Sequence, residues 1–411
     1  MGRQVFEGIK IADFSWVGVG PQVAREFAEH GAKVVRVESH KRLDQLRLVG
    51  PHKDFEPGID RTAFATCFNT NKYGISVDLK TSKGQEVGKK LAMWADIVCD
   101  SMTPGSMKKL GLDYESLRKT KPDIIMYSTC QPGQSGPYSK LPGYGNLGAA
   151  MSGASYLVGW PDRAPAGVAG AYTDFIAPWF LISTLIGALL YRKRTGKGLY
   201  IDMSQIEAAI TFLSPSILDY TVNGRVAERE GNRSSSSAPH GAFPCLGQDR
   251  WVTVSVSTDE EWEAFCEVIG NPDWIKDRKF RTFTGRKENE DALNTLVGEW
   301  TLKHPPEEVA SLMQDAGVPA GVVENCHQDL FDDPQLKHRR HFRYLEHRVI
   351  GKHAYNAPAY ILSKTPNHIH KAGPTLGEDN EYVFKEILGY SDDDIADLLI
   401  EGVITTEADL D

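Results

Sequence analysis

The residue of this chain best placed for chemistry is an aspartate that begins a long apolar stretch. Asp174 follows Tyr172 and Thr173, and residues 175–190 are mostly apolar. We expect Asp174 to be the N-cap of a helix, where backbone N–H groups and the helix dipole favour a charged carboxylate. A charged carboxylate beside a dry helix is a competent nucleophile toward an activated acyl group.

The apolar stretch itself predicts a buried helix rather than a membrane span. It is shorter than the roughly 20 residues that a span requires, and it contains Pro178, Ser183 and Thr184. Pro178 is expected in about the first helical turn, where no helical N–H is lost. The sequence therefore predicts no association with a membrane.

Length and composition restrict the class of protein. A chain of 411 residues is long enough for about two or three domains. Its net charge of -9 argues against nonspecific binding of nucleic acid, which needs a basic face. None of the six cysteines lies within four residues of another, so no zinc-type spacing exists. Residues 1–4 lack the apolar core of a signal peptide, and we expect a reduced, cytoplasmic protein without a bound metal.

Strand-like and helix-like segments alternate along the first half of the chain. Between the strand-like segments, residues 23–30, 82–95 and 112–119 have helical patterns. This alternation predicts an α/β fold with an open, parallel sheet of Rossmann type. The strand-like segments are residues 9–14, 33–38, 74–79, 96–100, 123–128 and 199–204.

A polar segment begins near residue 223 and ends in the serine run at residues 234–237, and this change in composition predicts a second domain. Residues 251–256 resemble a strand, and residues 260–269 and 288–301 resemble helices. We expect residues 1–222 to form the large Rossmann-like domain and residues 223–328 a smaller α+β domain. Residues 329–411 are expected to return to the large domain.

A glycine-rich turn after the first strand almost matches the dinucleotide fingerprint. Gly18-Val19-Gly20 opens a helix, and Glu38 stands about 20 residues further on. Val23 replaces the third glycine, and Pro21 removes an N–H that a pyrophosphate would use. A tight turn is therefore favoured over a nicotinamide site, although a dehydrogenase remains a rival.

Two other motif classes are disfavoured. Thr195-Gly196-Lys197-Gly198 has glycines and a lysine but lacks the first glycine and the final Ser or Thr of a phosphate loop. The sequence also contains no Gly-x-Ser-x-Gly elbow, which argues against an α/β-hydrolase.

Five separated segments together resemble the class III CoA-transferase family, typified by formyl-CoA transferase and including carnitine-type relatives. Their order and spacing match the family over about the first 240 residues. The segments are Asp13-Phe14-Ser15-Trp16-Val17 before Gly20-Pro21; residues 31–38; Asn69-Thr70-Asn71-Lys72 leading to residues 75–80; residues 95–98 followed by Pro104-Gly105 and Leu110-Gly111; and Arg194-Thr195-Gly196-Lys197-Gly198 running into residues 201–204.

The resemblance implies a catalytic role for Asp174, which occupies the position of the family's catalytic aspartate. The implied reaction moves CoA from an acyl-CoA donor, with succinyl-CoA one candidate, to a carboxylic acid. The acceptor is expected to be a dicarboxylate such as succinate or an aryl-substituted succinate. Asp174 would carry first an acyl anhydride and then a CoA thioester. CoA and acyl-CoA are substrates, and no permanently bound cofactor, ATP or metal is implied.

The resemblance also implies a CoA groove. His40 stands where relatives often have Arg, so Arg42 or Lys140 is expected to compensate in holding phosphate. By matching position, the residues that line the groove are Val17, Gly18, Val19, His40, Asn71, Lys72, Met102, Lys109, Tyr144 and Gly145.

Two alternatives to a transferase stay open. The family includes α-methylacyl-CoA racemases, which need two bases, but here Tyr144 stands where they have a histidine. A catalytically silent partner subunit of a heteromer is the other alternative. The resemblance implies an interlocked homodimer, or a heteromer with a related subunit. The serine run at residues 234–237 replaces a glycine-rich loop and reads equally as a closing loop or an interdomain linker.

Overall fold

The computed structural model describes residues 4–406, so Met1–Arg3 and residues 407–411 lie outside the description. The expectation that residues 1–4 are not part of a signal peptide falls mostly on residues outside this description. The chain divides into two compact units. The first unit is Met1–Ser155, Gly167–Val226 and Gln335–Asp411, and the second is Tyr156–Ala166 and Ala227–Pro334.

The strands fall into one large sheet and two small ones. Six strands form the large sheet in the order β3-β2-β1-β4-β5-β6. In chain order the strands are β1 (Lys10–Phe14), β2 (Lys33–Glu38), β3 (Tyr73–Ser76), β4 (Ile97–Asp100), β5 (Ile125–Cys130), β6 (Leu199–Ser204), β7 (His240–Pro244), β8 (Trp251–Ser255), β9 (Ala320–Val322), β10 (Phe342–His347) and β11 (Gly351–Asn356).

Every pairing in the large sheet is parallel. The register places Ala12 of β1 opposite Val35 of β2 on one side and Val98 of β4 on the other. This strand order is that of the dinucleotide-binding Rossmann fold, with a switch point between β1 and β4. The predicted α/β fold, with a parallel sheet and a smaller antiparallel region, is confirmed.

Helices connect the strands and cover the sheet. Besides short 3₁₀ turns, the α-helices are α1 (Val19–Glu29), α2 (Ala63–Cys67), α3 (Ser82–Trp94), α4 (Ser106–Lys109), α5 (Tyr114–Leu117), α6 (Gly145–Met151), α7 (Ala154–Leu157), α8 (Tyr172–Thr195), α9 (Gln205–Thr211), α10 (Ser214–Asn223), α11 (Asp259–Val268), α12 (Phe283–Glu288), α13 (Glu290–Thr301), α14 (Pro306–Asp315), α15 (Gln328–Asp332), α16 (Pro334–Arg339), α17 (Asn380–Tyr382) and α18 (Asp392–Ile400).

The strands of the large sheet bury both of their faces, as parallel strands flanked by helices do. Ile11 and Val34 pack against α1 and α8. Ala12 and Val35, one residue further along each strand, pack on the opposite face with α3 and the C-terminal segment. The alternation of side chains along a strand therefore divides the core of the first unit into two layers.

Two predicted helices are wrong in their extent. The single helix expected at residues 206–220 is two helices, α9 and α10, because Pro215 stands at the start of the second. Proline is favoured in the first turn of a helix, whereas further inside it removes a hydrogen bond and tends to kink or end the helix. The helix expected at residues 381–388 is the short α17 followed by a π-helical turn, Val383–Ile387.

The second unit has its own core. Its sheet has the order β7-β8-β9, and both pairings are antiparallel. Phe243, Val252 and Val254 from the sheet pack with Phe265 of α11. Arg286 is fully buried, with its guanidinium 4.5 Å from the centroid of the Trp262 ring. A cation over an aromatic face retains a favourable electrostatic contact after it leaves water.

Helix α8 has one buried face and one apolar face that the chain does not cover. Among residues 4–406 it is the only helix whose length and composition would suit a membrane span, and 39% of its most apolar 18-residue window is buried within the chain. Ala177, Leu181 and Leu185 are buried against α1, whereas Phe175 and Trp179 are exposed. The sequence predicts a buried helix, and the structure buries one side of it.

Candidate active site

A cavity of about 900 Å³ opens at the carboxyl ends of the parallel strands. Its walls include Phe14 at the end of β1, Glu38 at the end of β2 and Thr129 near the end of β5. Ligands of open α/β sheets bind at this edge, outside the topological switch point. The cavity is therefore where the fold is expected to place its chemistry, and Asp174 lies in its wall.

The loop after β1 is held in an unusual backbone conformation. Val17 has φ 60°, which is rare for a β-branched residue. Its N–H donates to both carboxylate oxygens of Asp44 at 3.2 Å. The Trp16 N–H donates to the Ser101 hydroxyl at 2.6 Å. These bonds hold a strained segment directly beside the cavity, as is common at functional sites.

A network of buried charged side chains contacts the loop after β1. The Lys72 ammonium lies 2.8 Å from the Asp13 carboxylate, and the Arg36 guanidinium lies 2.5 Å from Asp44. Burial raises the pKa of Asp13, but the charges of Lys72 and Arg36 outweigh burial and hold the pKa below its usual value. Arg36 also donates to the Ser15 carbonyl at 3.0 Å, so the charge network reaches the backbone of the loop.

Asp174 lies in the first turn of α8, and the prediction that it is the N-cap is wrong. The N-cap is Ala171, and no side chain caps this helix. Gly170, with φ 69°, turns the chain just before it. The helix therefore begins earlier than the apolar pattern indicates, and the Asp174 N–H bonds the Ala171 carbonyl at 2.9 Å.

The earlier start also moves Pro178 inside the helix, in its second turn. Proline lacks the N–H that would bond the carbonyl four residues back, and that carbonyl belongs to Asp174. The Gln22 amide donates to the free Asp174 carbonyl at 3.0 Å and to the Gly18 carbonyl at 3.2 Å. Gln22 thereby links the loop after β1 to the residue that carries the candidate nucleophile.

The electrostatic environment of Asp174 makes its carboxylate a strong base for an aspartate. Burial raises its pKa to about 6, while hydrogen bonds from the Gly145 N–H and the Gln131 side chain act in the opposite direction. The side chain is 9% exposed. At neutral pH the carboxylate is mostly charged, yet it is poorly solvated, which favours nucleophilic attack.

Gln131 and Gln205 at this site were not anticipated from the sequence. Both are buried, and both line the cavity. Gln131 follows β5 and Gln205 follows β6. A polar residue that directly follows a buried parallel strand is the signal that would have pointed to them, because the carboxyl ends of parallel strands meet at the binding edge.

Comparison with known proteins identifies the family. The sequence profile described as CoA-transferase family III matches residues 6–380. The chain belongs to this family. Succinyl-CoA–D-citramalate CoA-transferase of Chloroflexus aurantiacus is 29% identical over 97% of this chain and 98% of the relative. Succinyl-CoA:glutarate CoA-transferase of Mus musculus is 30% identical over 97% of this chain and 90% of the relative.

Solved structures and multi-subunit relatives agree with this assignment. The crystal structure of a CaiB/BaiF family protein from Brucella suis has a TM-score of 0.85 and 27% identity, and covers 94% of this chain and 100% of its own. The alpha and beta subunits of a succinyl-CoA–L-malate CoA-transferase from Chloroflexus aurantiacus are each 29% identical over 97% of this chain. These relatives cover 86% and 97% of their own lengths, respectively.

The structure of this family III CoA-transferase brings together seven of the residues that the resemblance indicated. All seven line the cavity beside one another. They are Val17, Gly18, Val19, Met102, Lys109, Tyr144 and Asp174. Gly145 is not in the cavity wall, but its N–H bonds the Asp174 carboxyl.

His40, Asn71 and Lys72 lie outside the cavity wall and have other partners. His40 is buried between the Ser76 hydroxyl at 2.9 Å and the Gly402 carbonyl at 3.2 Å. The Asn71 amide donates to the His368 carbonyl at 2.6 Å. Lys72 is fully buried on Asp13. In this transferase the three side chains bond to other segments of the first unit and not to the cavity. Their predicted role in binding CoA stays a prediction.

Three cations line the cavity, and two of them, Arg42 and Lys109, were expected from the resemblance. Arg42, Lys80 and Lys109 line it, and the Arg42 guanidinium lies 5.2 Å from the centroid of the Trp16 ring. Arg42 is thus at the cavity, as the expected compensation for His40 requires, whereas Lys140 is not in its wall. Three cations at one mouth suit an anionic ligand.

The second unit of the transferase contains a cavity of about 610 Å³, lined by Gly231, Asn232, Arg233 and His240 among others. Arg233 is paired with Asp291 at 2.6 Å. The serine run that follows is tied down at both ends. Lys287 donates to the Ser234 carbonyl at 2.7 Å, and the hydroxyls of Ser237 and Ser257 lie 2.8 Å apart.

Residues 4–406 contain neither a candidate metal site nor a disulfide. Within that range, no cluster of three or more His, Cys, Asp or Glu side chains could hold a metal ion. The cysteines are free thiols, and Cys99 is buried beside Asp13. Burial raises the pKa of the Cys99 thiol well above its usual value, so it is a poor nucleophile.

Proposed function

We propose that this transferase uses Asp174 as the covalent carrier that moves CoA from an acyl-CoA donor to a carboxylic acid. The observation that carries the proposal is the setting of the Asp174 carboxylate. It lies in the wall of a cavity that three cations also line, and burial raises its pKa to about 6. Burial also raises the pKa of Glu38, another carboxylate of that wall, but the charges of Arg47 and Arg36 outweigh burial and lower the pKa to about 2.

The first half-reaction forms a mixed anhydride and then a thioester. A carboxylate oxygen of Asp174 attacks the thioester carbonyl of the donor, the C–S bond breaks, and CoA leaves as a thiolate. The thiolate attacks the aspartyl carbonyl, the C–O bond of the anhydride breaks, and the donor acid leaves as a carboxylate. The acceptor carboxylate then takes CoA by the reverse steps, so bond types are conserved and no energy source is consumed.

The site protects these intermediates from hydrolysis. Anhydrides and thioesters react with water, so the reacting carboxyl must be shielded. Gly18, in the loop after β1, and Gly145, at the start of α6, pack against the Asp174 side chain, where any larger residue would collide with it. They leave room for the carboxyl while they close the space beside it.

CoA is proposed to enter along the cavity from the side of Lys80 and Lys109. Its phosphates need cations, and these lysines and Arg42 are the basic residues of the wall. Met102 offers a flexible apolar surface between them for the uncharged part of the ligand. Val17 and Gly18 then face the thioester end, because Gly18 adjoins Asp174.

Succinyl-CoA is proposed as the donor and a dicarboxylate as the acceptor. The relatives described above carry succinyl-CoA in their names, and citramalate, glutarate and malate are all dicarboxylates. The second carboxylate of such an acid keeps its charge throughout the reaction and needs a cation or backbone N–H groups. The identity of the acceptor is to be found by screening dicarboxylates against a succinyl-CoA donor.

A second subunit is proposed to cover the exposed side of α8. Phe175, Trp179, Ile186 and Leu190 leave this helix uncovered, and Leu218 on α10 is also exposed. Contiguous apolar surface of this kind marks an interface. An interlocked homodimer, or a heteromer with a related chain, would bury it.

Sedimentation tests this proposal. Trp179→Glu should convert a dimer to monomers, whereas the control Leu302→Glu should not. A monomeric parent protein would contradict the proposal.

Trapping of the intermediate tests the proposed function. The enzyme is incubated with succinyl-CoA, quenched with hydroxylamine and digested, and peptides are analysed by mass spectrometry. A hydroxamate at Asp174 is expected, because hydroxylamine attacks the aspartyl thioester and releases CoA. Asp174→Asn should give none, whereas Asp78→Asn, at another carboxylate of the cavity wall, should keep the adduct. Turnover without any adduct at Asp174 would refute the proposal.

The racemase alternative has its own readout. Among the described residues that line the cavity there is no histidine, and Tyr144 occupies the position in question. Racemisation exchanges the α-hydrogen of the acyl group with solvent. In D₂O we expect no deuterium at the α-carbon of a 2-methylacyl-CoA. Incorporation at a rate near that of CoA transfer would favour the racemase.

A further inference from the structure

The Gln131 side chain contacts the candidate nucleophile from the carboxyl end of β5. It is buried, it lines the cavity, and it is hydrogen-bonded to the Asp174 carboxyl. A glutamine amide has two N–H donors and one carbonyl acceptor. A carboxylate only accepts hydrogen bonds, so the contact with Asp174 uses an N–H of Gln131.

The other groups of this amide are also occupied. The Gln131 nitrogen donates to the Gln205 side-chain carbonyl at 2.6 Å. The Thr173 hydroxyl donates to the Gln131 carbonyl at 3.3 Å. The Thr173 hydroxyl can donate or accept and also lies 3.2 Å from the Gly145 carbonyl, so it is the Asp174 carboxylate, which can only accept, that fixes which end of the amide is nitrogen. Every polar atom of Gln131 is therefore satisfied in a single orientation.

Gln205 is held in turn by the neighbouring strand and helix. Its nitrogen donates to the Thr129 hydroxyl at 3.3 Å, and it begins α9, directly after β6. Gly148 faces the Gln131 carbonyl so closely that a Cβ there would overlap it. The amide pair is thus packed rather than free to rotate, and its orientation is set before substrate arrives.

We propose that Gln131 is a catalytic hydrogen-bond donor to the acyl oxygen of Asp174, and that Gln205 is the positioning residue that aims its N–H. The proposal rests on the proposed function, because it assigns a role at an aspartyl anhydride and an aspartyl thioester. It adds a side-chain donor that the motif segments of the sequence do not contain.

The role follows from where charge collects in the second step. When the CoA thiolate adds to the aspartyl carbonyl carbon, a C–S bond forms and the electron pair of the C=O bond moves to the oxygen. That oxygen is a former carboxylate oxygen of Asp174, and the Gln131 and Gly145 N–H groups bond this carboxyl. When the oxyanion collapses, the C–O bond to the departing acid breaks and that acid leaves as a carboxylate. Fixed donors at such an oxygen stabilise the transition state.

Gln131→Met tests the proposal with little change in side-chain volume. Removal of one fixed oxyanion donor lowers kcat by about 10²-fold in comparable sites, and we expect a loss of that order here. The donor also favours the charged carboxylate, so the acidic limb of the kcat/KM profile should move to higher pH. A purely structural role would not move that limb. The side chains next to Asp174, Gln22, Gln131 and Thr173, carry no charge of their own.

Gln205→Met is the second variant, and it tests the orientation of the Gln131 donor without replacing Gln131 itself. It leaves the Gln131 donor present but unaimed, so a smaller loss of kcat, about tenfold, is expected. Gln134→Met is the matched control, since Gln134 lies on the same loop, bonds the Met102 carbonyl at 3.2 Å and is not in the cavity wall. Thermal unfolding of all three variants verifies that they are folded.

The outcomes separate this inference from the proposed function. If the parent enzyme yields the Asp174 hydroxamate but Gln131→Met and Gln205→Met keep its kcat and pH profile, the inference is overturned and the covalent carrier stands. If the parent enzyme yields no hydroxamate, the proposed function fails first. A loss of kcat with a shifted acidic limb in Gln131→Met, absent from Gln134→Met, supports the inference.

Discussion

Gly18 lies so close to Asp174 that a Cβ on Gly18 would stand 2.9 Å from both Cβ and Cγ of the aspartate. Gly145, at the start of α6, is as close, with a distance of 2.8 Å from its ideal Cβ to Asp174 Cγ. The glycine turn after β1 resembles a pyrophosphate loop in sequence. In this structure its glycine instead leaves room for a carboxylate.

Gly18→Ala is expected to disable the enzyme by sterics alone. Gly18 has φ -84°, an ordinary value for alanine, so no backbone strain is added. The new methyl group must displace Asp174, and a misplacement of about 1 Å costs about 10²-fold in rate. Steady-state kinetics should show this loss in kcat. Gly167→Ala, where a Cβ meets no neighbour, is the control and should leave kcat unchanged.

Gln22→Met should lower both stability and activity. Its amide satisfies the Asp174 carbonyl that Pro178 leaves without a helical partner. An unsatisfied buried carbonyl costs about 1–3 kcal/mol, so denaturant unfolding should show a loss in that range. The aspartate is then less firmly placed and kcat should also fall. Gln45→Met, in the cavity wall, should change the free energy of unfolding by much less.

The acidic limb of the pH–rate profile should report Asp174. Only the charged carboxylate is nucleophilic, and burial raises its pKa to about 6. We expect kcat/KM to rise with pH through about 6 and to level off near neutrality. An ordinary aspartate would be fully active at that pH. A profile that is flat between pH 5 and pH 7 would contradict this assignment.

Asp174→Asn should stabilise the protein at neutral pH while it abolishes transfer. Because its pKa is raised in the folded state to about 6, the charged carboxylate opposes folding. The contribution of this group to stability is fully present below the unfolded pKa and is lost as pH rises through the folded value. From about pH 4 to pH 7, Asp174→Asn should therefore gain about 2–3 kcal/mol relative to the parent protein. Denaturant unfolding of both proteins at pH 4 and pH 7 measures this gain, and equal stabilities at pH 7 would contradict the prediction.

Two lysines that the resemblance placed at the CoA groove should give opposite phenotypes. Lys72 is fully buried on Asp13, and removal of one partner from a buried pair costs about 3–5 kcal/mol. Lys72→Met should therefore lower the unfolding midpoint strongly. Lys109 lines the cavity, and Lys109→Met should raise the KM for acyl-CoA without a comparable loss of stability. Equal loss of stability in both variants would contradict these assignments.

The strand–helix alternation was sufficient to predict the α/β fold, because apolar runs bounded by Gly, Pro and capping residues are local signals. Strands β1, β2, β4 and β6 lie within the predicted segments. The ends of the helices were harder to predict from the sequence. The start of α8 depends on Gly170 and on the partner that Gln22 provides for the Asp174 carbonyl, and neither is a local apolar signal.

The resemblance indicated seven cavity residues, but it did not distinguish a lysine of the cavity wall from a buried one. Lys72 and Lys109 are both lysines in polar segments. Only the tertiary contacts of the Lys72 ammonium with Asp13, the Pro21 carbonyl and Asn69 commit it to the core. The direction in which a side chain points at the end of a strand is set by its neighbours across the sheet. Sequence spacing does not contain that information.

The sequence was enough to indicate the order of elements, the family and the aspartate that we propose as the nucleophile, because these depend on local pattern and residue type. Which groups surround that aspartate was decided only by the tertiary structure. Gly18 in the loop after β1, Gln131 directly after β5 and Gly145 at the start of α6 converge on Asp174 although they are far apart in sequence. Only the parallel sheet brings these ends to one edge, where burial and donor N–H groups together set the reactivity of the carboxylate.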